Sequence, residues 1–235
     1  MPYQVTIHAT GSSGNAITID NNLMIDAGLG YRTLKEPLTQ TSALFITHRH
    51  GDHLNPATIK RLHKERPALV RKRLFINQDT HNKLIEHAPE LNGVIPKQNI
   101  LTQDWSRTIT TRDGNQYHVQ TYPLVHDVEN QGFVITNQHG DTLIHATDTQ
   151  TMKHAPKNKY DYLLVEGNWD EDTLADMIAS DDPDDVYRAL RNTRHLSVQA
   201  FERFVRTHSH PDSVIVQLHE SMELGSRSKI NTYQL

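Results

Sequence analysis

The stretch Ala43-Leu44-Phe45-Ile46-Thr47-His48-Arg49-His50-Gly51-Asp52-His53 joins a short apolar run to a dense set of metal-ligand side chains. Its first four residues, apolar and partly β-branched or aromatic, read as a buried strand. The chain then leaves that strand carrying four candidate ligands, His48, His50, Asp52 and His53, within six residues. In extended backbone, side chains two apart point the same way, so His48 and His50 can converge on one ion. After the turn at Gly51, Asp52 and His53 project to a neighbouring position, and the spacing suits two adjacent metals rather than one. Asn55 then offers a helix N-cap, Pro56 fits the first helical position, and Ile59 with Leu62 gives an apolar stripe through about Lys64. The ligands thus sit on a loop between a strand and a helix. The plainer account, an exposed histidine-rich loop, is weakened because complementary ligands recur at strand ends later in the chain.

Working outward, Tyr3, Val5 and Ile7 alternate with polar residues as a half-buried strand does, and the turn Gly11-Ser12-Ser13-Gly14-Asn15 follows. Further strands are expected at 16–19, 23–25, 74–77, 108–111, 117–122, 133–136, 142–144, 162–165 and 214–218, with several short ones between 88 and 100. Helices are expected at 31–38, 80–87, 186–191 and after the Ser197 cap, where Val198, Phe201 and Val205 share a face. Strands and helices alternate, yet several strand pairs look like antiparallel hairpins. The expected fold class is therefore α/β, two mixed β-sheets packed face to face with helices flanking them, over a single domain spanning 1–235.

The 235 residues carry 24 basic and 28 acidic side chains, a net charge of -4, 16 histidines and no cysteine. Without cysteine there is no disulfide frame, thiolate zinc finger, iron–sulfur cluster or thiol nucleophile, so any metal is held by nitrogen and oxygen. A chain this long buries roughly 70% of its unfolded surface, enough to fold without a structural metal. An apolar fraction of 36% is low against the roughly 45–50% of typical domains, which implies an economical core with polar groups inside. No apolar run suggests a membrane span, and Met1-Pro2-Tyr3-Gln4 does not open like a signal peptide, so the chain reads as soluble and cytoplasmic with no membrane partner. Slight acidity argues against a broad cationic nucleic-acid surface.

His48-x-His50-x-Asp52-His53 matches the HxHxDH signature of the metallo-β-lactamase superfamily, and the chain resembles that family along almost its whole length. Asp26, in Leu23-Met24-Ile25-Asp26-Ala27-Gly28, resembles the early aspartate that supports the metal loop. His126, in Pro123-Leu124-Val125-His126-Asp127, resembles the third histidine of the first metal site. Asp148, in His145-Ala146-Thr147-Asp148-Thr149, resembles the bridging carboxylate. His195-Leu196-Ser197 and Leu218-His219-Glu220-Ser221 resemble the closing pair of the ribonuclease Z-like branch. The nearest subgroup is the YycJ/WalJ type, on Gly11–Asn15, His126-Asp127, Ala146–Thr149, Glu166-Gly167-Asn168 and His195–Ser197, with Trp169 standing where that subgroup has a histidine.

The resemblance implies an αββα sandwich with two divalent metal ions: His48, His50 and His126 at one, Asp52, His53 and His219 at the other, Asp148 bridging. Zinc is the first expectation, manganese or iron the alternatives, since a sulfur-free donor set does not choose among them. Two metals about 3.5–4 Å apart can hold a bridging hydroxide that attacks at neutral pH, so no serine or threonine nucleophile is needed. The implied catalytic residues are Asp52, Asp148 and His195, the last emerging beside a helix N-terminus to protonate a leaving oxygen or stabilise phosphoryl charge. The implied activity is a phosphodiesterase, either a nuclease on DNA or RNA or a cyclic-nucleotide phosphodiesterase. The alternatives are thioester, lactone or β-lactam hydrolysis, or a nucleic-acid-binding protein without turnover. Homodimers are common for the fold, and one is expected here.

Among other residues, His145 is the closest rival ligand, but strand alternation turns it from Asp148. His8 reads as a hydrogen-bonded structural histidine, and Trp105 and Trp169 as packing residues. The basic run Lys60, Arg61, Lys64, Arg66, Arg71, Lys72 and Arg73 is either a solvated helix face or a holder of nucleic-acid backbone. The acidic stretch 181–185 would repel phosphates and is expected away from the substrate path.

Overall fold

Short apolar and β-branched runs build the first sheet from the first 101 residues of the chain. The structure, a computed structural model, describes residues 2–220. Met1 and residues 221–235, with Ser221 of the closing motif and both ends of the expected domain, lie outside the described residues. In chain order come β1 (Val5–Ala9), β2 (Ala16–Ile19), β3 (Leu23–Ile25), α1 (Tyr31–Gln40), β4 (Ala43–Phe45), α2 (Pro56–Glu65), α3 (Pro67–Arg73), β5 (Leu74–Asn77), α4 (Gln78–His87) and β6 (Ile100–Leu101). The strands lie side by side in sequence order, antiparallel from β1 to β3 and parallel from β3 to β6.

The second sheet repeats the plan. It contains β7 (Ser106–Thr110), β8 (Gln116–Leu124), β9 (Asn130–Asn137), β10 (Thr142–Ala146) and β11 (Tyr160–Glu166), then α5 (Glu171–Ile178), α6 (Pro183–Asn192), α7 (Val198–His208) and β12 (Ser209–Leu218). Again the strands follow sequence order, antiparallel from β7 to β10 and parallel from β10 to β12.

The sandwich follows from which way each strand's residues point. In β4, Ala43 and Phe45 face the space between the sheets, while Leu44 and the following Ile46 face the helices. A strand covered on both faces needs an uninterrupted apolar run, which is what Ala-Leu-Phe-Ile supplies. Phe45 stacks on Phe75 at 4.8 Å and meets Phe133 of the other sheet edge-on at 5.4 Å, tying the inner layer together. A second apolar layer lies between the first sheet and α1, α2 and α4, and a third between the second sheet and α7 through Phe201, Phe204 and Val205. The architecture is the expected αββα sandwich.

Two regions differ from the sequence expectation. Between 88 and 100 the chain forms 3-10 turns at Pro89–Leu91 and Lys97–Asn99 rather than several strands, and only the two-residue β6 pairs. Pro89 and Pro96 have no N–H to give a ladder, and Asn92-Gly93 turns the backbone between them. Helices α3 and α5 were not expected: α3 begins at Pro67 two residues after α2 ends, so its basic residues read as a continuation of α2.

Candidate metal centre

The parallel strands of both sheets end at one rim of the sandwich, and ligands of open parallel sheets lie at such carboxyl ends. Three strands turn there through non-glycine residues with positive φ: Asp26 after β3 (φ 63), Asp148 after β10 (φ 53) and His219 after β12 (φ 54). Left-handed backbone at a non-glycine residue costs roughly 1–2 kcal/mol, and such strain gathers where function fixes the chain.

The loop after β4 is pinned from below. Asp26 accepts from Thr47 N at 2.8 Å and Thr47 Oγ1 at 3.0 Å, and its Oδ2 lies 2.7 Å from His53 Nδ1. Burial raises the pKa of Asp26, and against burial the Asp26 and Asp148 carboxylates push His53 well above its ordinary value. His53 turns its Nδ1 to Asp26, which leaves Nε2 facing the cluster. Asn15 holds the same loop, receiving Gly11 N at 2.9 Å on its side chain and donating its own N–H to the Asp52 carbonyl at 2.6 Å. The Gly11–Asn15 turn is thus a structural clasp. Gly28 lies so close beneath that a Cβ there would fall 1.7 Å from the Asp52 carbonyl oxygen.

Above this base the imidazoles converge. His48 Nε2 is 3.0 Å from His50 Nδ1, and His126 Nε2 is 3.3 Å from the same atom. Burial lowers the pKa of both His48 and His126, which keeps them neutral, the form that ligates. Asp148 stands between two sets of rings. Its Oδ2 is 2.5 Å from His53 Nε2 and 3.7 Å from His48 Nε2, while its Oδ1 is 3.2 Å from Nδ1 of both His195 and His219. Burial alone would raise its pKa, but the surrounding histidines, His53 foremost, hold it well below the carboxylate range.

Three groupings have donor atoms within 4.8 Å of one another: His48, His50 and His126; His48, His53 and Asp148; and Asp148, Glu166, His195 and His219. Whether these residues fit a metal can be judged from Asp148. Its buried Oδ2 makes no hydrogen bond of accepted geometry, and its nearest polar neighbour, His53 Nε2 at 2.5 Å, is an imidazole nitrogen that can also ligate. A buried carboxylate is costly unless a cation answers it, and either an imidazolium or a metal ion held by these rings does so. Imidazole nitrogens bound at about 2.0–2.1 Å to one tetrahedral cation stand roughly 3.3–3.4 Å apart, close to the spacings within the first grouping. The donor set fits divalent metal ions and does not select one.

The structure brings His48, His50, His53, His126, Asp148, His195 and His219 to one place. Asp52 stands at its edge, with Oδ2 3.4 Å from His53 Nε2 and outside all three groupings. His145 is buried and outside them too, its pKa pushed down to about 3 by burial. His8 is bonded to Thr18 Oγ1 at 3.0 Å.

Sequence reasoning gave Glu166 no role, yet it is fully buried at the end of β11. Its Oε1 lies 2.6 Å from His195 Nδ1 and 2.9 Å from His219 Nδ1, and its Oε2 accepts from Thr149 N at 2.8 Å. Burial opposes a charged imidazole at His195, but Glu166 and Asp148 outweigh it and push its pKa up to about 10. The available signal was a lone carboxylate directly after the apolar run Tyr162–Val165. Trp169 also does more than pack, since its indole N–H donates to the His195 carbonyl at 2.8 Å. Asp127 lines the cluster, its Oδ1 3.2 Å from His126 Nε2 and its Oδ2 3.2 Å from Arg194 Nη1.

The layered fold and the histidine–aspartate cluster define a metal-binding α/β sandwich of the hydrolase type. The model of the beta-lactamase superfamily domain matches residues 21–209, and the chain belongs to that family. Comparison with curated proteins gives no match. Among solved structures the chain is similar to human tRNase Z, short form, at 16% identity and a TM-score of 0.63, covering 98% of this chain and 97% of that one. It is similar to the metallo-beta-lactamase fold protein YhfI from Bacillus subtilis at 16% identity and TM-score 0.62, covering 94% and 88%. It is also similar to a diphosphatase of the PhnP family at 13% identity and TM-score 0.60, covering 94% and 87%. These likenesses establish the fold. Among the described residues no helix is long and apolar enough to cross a membrane.

Proposed function

We propose that the chain is a dinuclear metal-dependent phosphodiesterase, a nuclease first and a cyclic-nucleotide phosphodiesterase second. Two bound divalent cations would supply Lewis acidity and an activated water. His48, His50 and His126 would hold one, His53 and His219 the other with Asp52 at its edge, and Asp148 would serve both.

The observation that carries the reading is the His195–Glu166 pair. Glu166 takes the Nδ1 side of the ring at 2.6 Å, so Nε2 is the nitrogen turned away from the carboxylates. The ring lies 5.9 Å, centre to centre, from His126. An alkoxide is a poor leaving group and needs a proton as the phosphorus–oxygen bond breaks, and a carboxylate-backed imidazole beside the reacting centre gives one. Asp26 and Thr47 keep the ligands of the loop in place, and Trp169 fixes the backbone of His195. The names of two structural neighbours, a tRNase Z and a diphosphatase, agree with phosphoryl chemistry.

Metal-loaded protein assayed side by side on linear DNA, linear RNA, cyclic mononucleotides and bis(p-nitrophenyl) phosphate, with a thioester, lactone and β-lactam panel, tests this. Phosphodiester turnover that vanishes in chelator and falls on acidification through about pH 6, where protons compete for imidazole, is the expected result. Turnover confined to the ester and lactam panel, or tight nucleic-acid binding without any turnover, overturns it.

A further inference from the structure

The basic run is split by the fold. Lys60, Arg61 and Lys64 ride on α2, but Arg71, Lys72 and Arg73 close α3 immediately before Leu74, the amino end of β5. The carboxyl end of β5 is the metal-loop end, where Asn77 Nδ2 donates to Glu129 O at 2.9 Å and points toward Thr47 O at 3.4 Å. A four-residue strand at about 3.3 Å per residue puts on the order of 13 Å between the two ends. Lys60 of α2 therefore stays near the metal loop, sharing a cleft with Arg49 and Gly51, while the α3 part of the run lies at the other end of the strand.

At that far end lies a cleft of about 460 Å³, bounded by Arg71, Lys72 and Arg73 on one side and by Arg107, Thr108 and Thr110 of β7 on the other. Pro96, Gln98 and Asn99, from the turn just before β6, complete its lining, so both halves of the chain contribute to it. Its lining includes four cations and no carboxylate. Some other surface cations of this acidic chain are paired, Lys60 with Glu90, Arg61 with Glu65 and Lys83 with Glu86, and the cleft differs in gathering four cations with no carboxylate among them. Among the described residues Arg71, Lys72, Arg73 and Arg107 have no ion pair. Cations at a helix C-terminus are ordinary, which accounts for the α3 residues by themselves. It does not account for Arg107, which comes from the other sheet and is steadied by Asn99 Oδ1 at 3.4 Å.

We propose that this cleft binds the phosphate backbone of a nucleic-acid strand, at a site separate from the donor cluster; the choice of polymer rests on the phosphodiesterase reading. Unpaired guanidinium and ammonium groups beside threonine hydroxyls are phosphate donors. No aromatic ring lines the cleft, so bases are not stacked and binding is indifferent to sequence. The cleft would anchor a strand whose scissile bond lies at the other end of the sandwich.

The test is fluorescence anisotropy with a labelled 20-nucleotide single-stranded DNA and the full chain, as purified and in excess chelator, so that the outcome does not depend on turnover. R71Q/K72Q/R107Q is compared with R32Q/K35Q/R191Q, which removes the same charge elsewhere. All six positions are surface side chains, and matched melting temperatures confirm folding. The cleft variant is expected to lose roughly 10- to 50-fold in affinity near 0.1 M salt, with the salt slope falling by about 2, at about 0.7 per lost contact. The control should change less than about twofold. Equal losses in the two variants would mean a net-charge effect and would overturn the site. So would pyrophosphate binding as tightly as the oligonucleotide, which would make it a small-anion pocket.

Discussion

Glu166 touches both His195 and His219 through one carboxylate oxygen, so removing its charge should disturb proton supply more than metal retention. Glu166→Gln and His195→Ala are each expected to keep the metal content of the parent and to lower kcat by about 10²–10⁴, the usual worth of a positioned proton donor. Elemental analysis beside turnover of bis(p-nitrophenyl) phosphate checks this, and an unchanged kcat would remove the pair from the chemistry. Double substitution should cost little more than either single change, because the two side chains act as one unit. At this scale the clustered histidines were legible because they fall in one short motif and the remaining ligands follow at strand ends. Glu166 was given no role, because its place after an apolar run marks a strand end but its partners lie 29 and 53 residues further along the chain. Trp169 was read as packing for the same reason, its partner being a carbonyl 26 residues away.

The ligand loop is an element held by close approach rather than by its own secondary structure. Asn55 N bonds Ala27 O at 3.0 Å, Ala27 N bonds His53 O at 2.9 Å, and Gly28 sits against the Asp52 carbonyl. Gly28→Ala forces a methyl group into that carbonyl, so the loop must lift. The expected result is a loss of about 1–3 kcal/mol by urea unfolding, the range for an overpacked site, together with weaker metal retention on dialysis. A variant with parental stability and metal content would show that the loop is not seated there. Helix α2 was legible because Asn55 and Pro56 mark its start, and the Asn55 side chain does accept from Thr58 N at 3.1 Å. Helix α3 was missed although Pro67 marks its first position and the break at Arg66, φ -135, is that of a residue before proline; the basic residues running on from α2 masked the restart. The segment between α4 and β7 was misread because apolar residues among prolines mimic short strands.

Across the molecule, the low apolar fraction is explained by a polar layer buried at one rim, and that layer sets the acid response. Burial lowers the pKa of His48, His126 and His145, the last to about 3. These rings stay neutral in the fold while the unfolded chain binds protons below about pH 6.5, so stability falls as pH drops through that value. His53, His195 and His219 shift upward, so their contribution is complete below pH 6.5 and is lost only on the alkaline side. Between about pH 6.5 and 4.5 the lowered histidines thus govern the slope. In excess chelator, His145→Leu is expected to flatten that slope, recovering about 2 kcal/mol between pH 7 and 5 relative to the parent. Urea midpoints at the two pH values measure it, and parallel losses in parent and variant would exclude His145 as a source. The sandwich itself was legible from alternating strand faces. Which pole each cationic residue occupies was not, because that depends on strand direction.

Each sheet is drawn from one uninterrupted half of the chain, and the step from β6 to β7 is where the polypeptide passes between them. Cutting the peptide within 102–105 would leave two fragments with a complete sheet apiece. One would own His48, His50 and His53, the other His126, Asp148, Glu166, His195 and His219. Neither piece could sequester an ion as the parent does, so recovery of tight metal uptake on mixing would itself report that the halves had reunited, making the chain a split sensor with its own built-in readout.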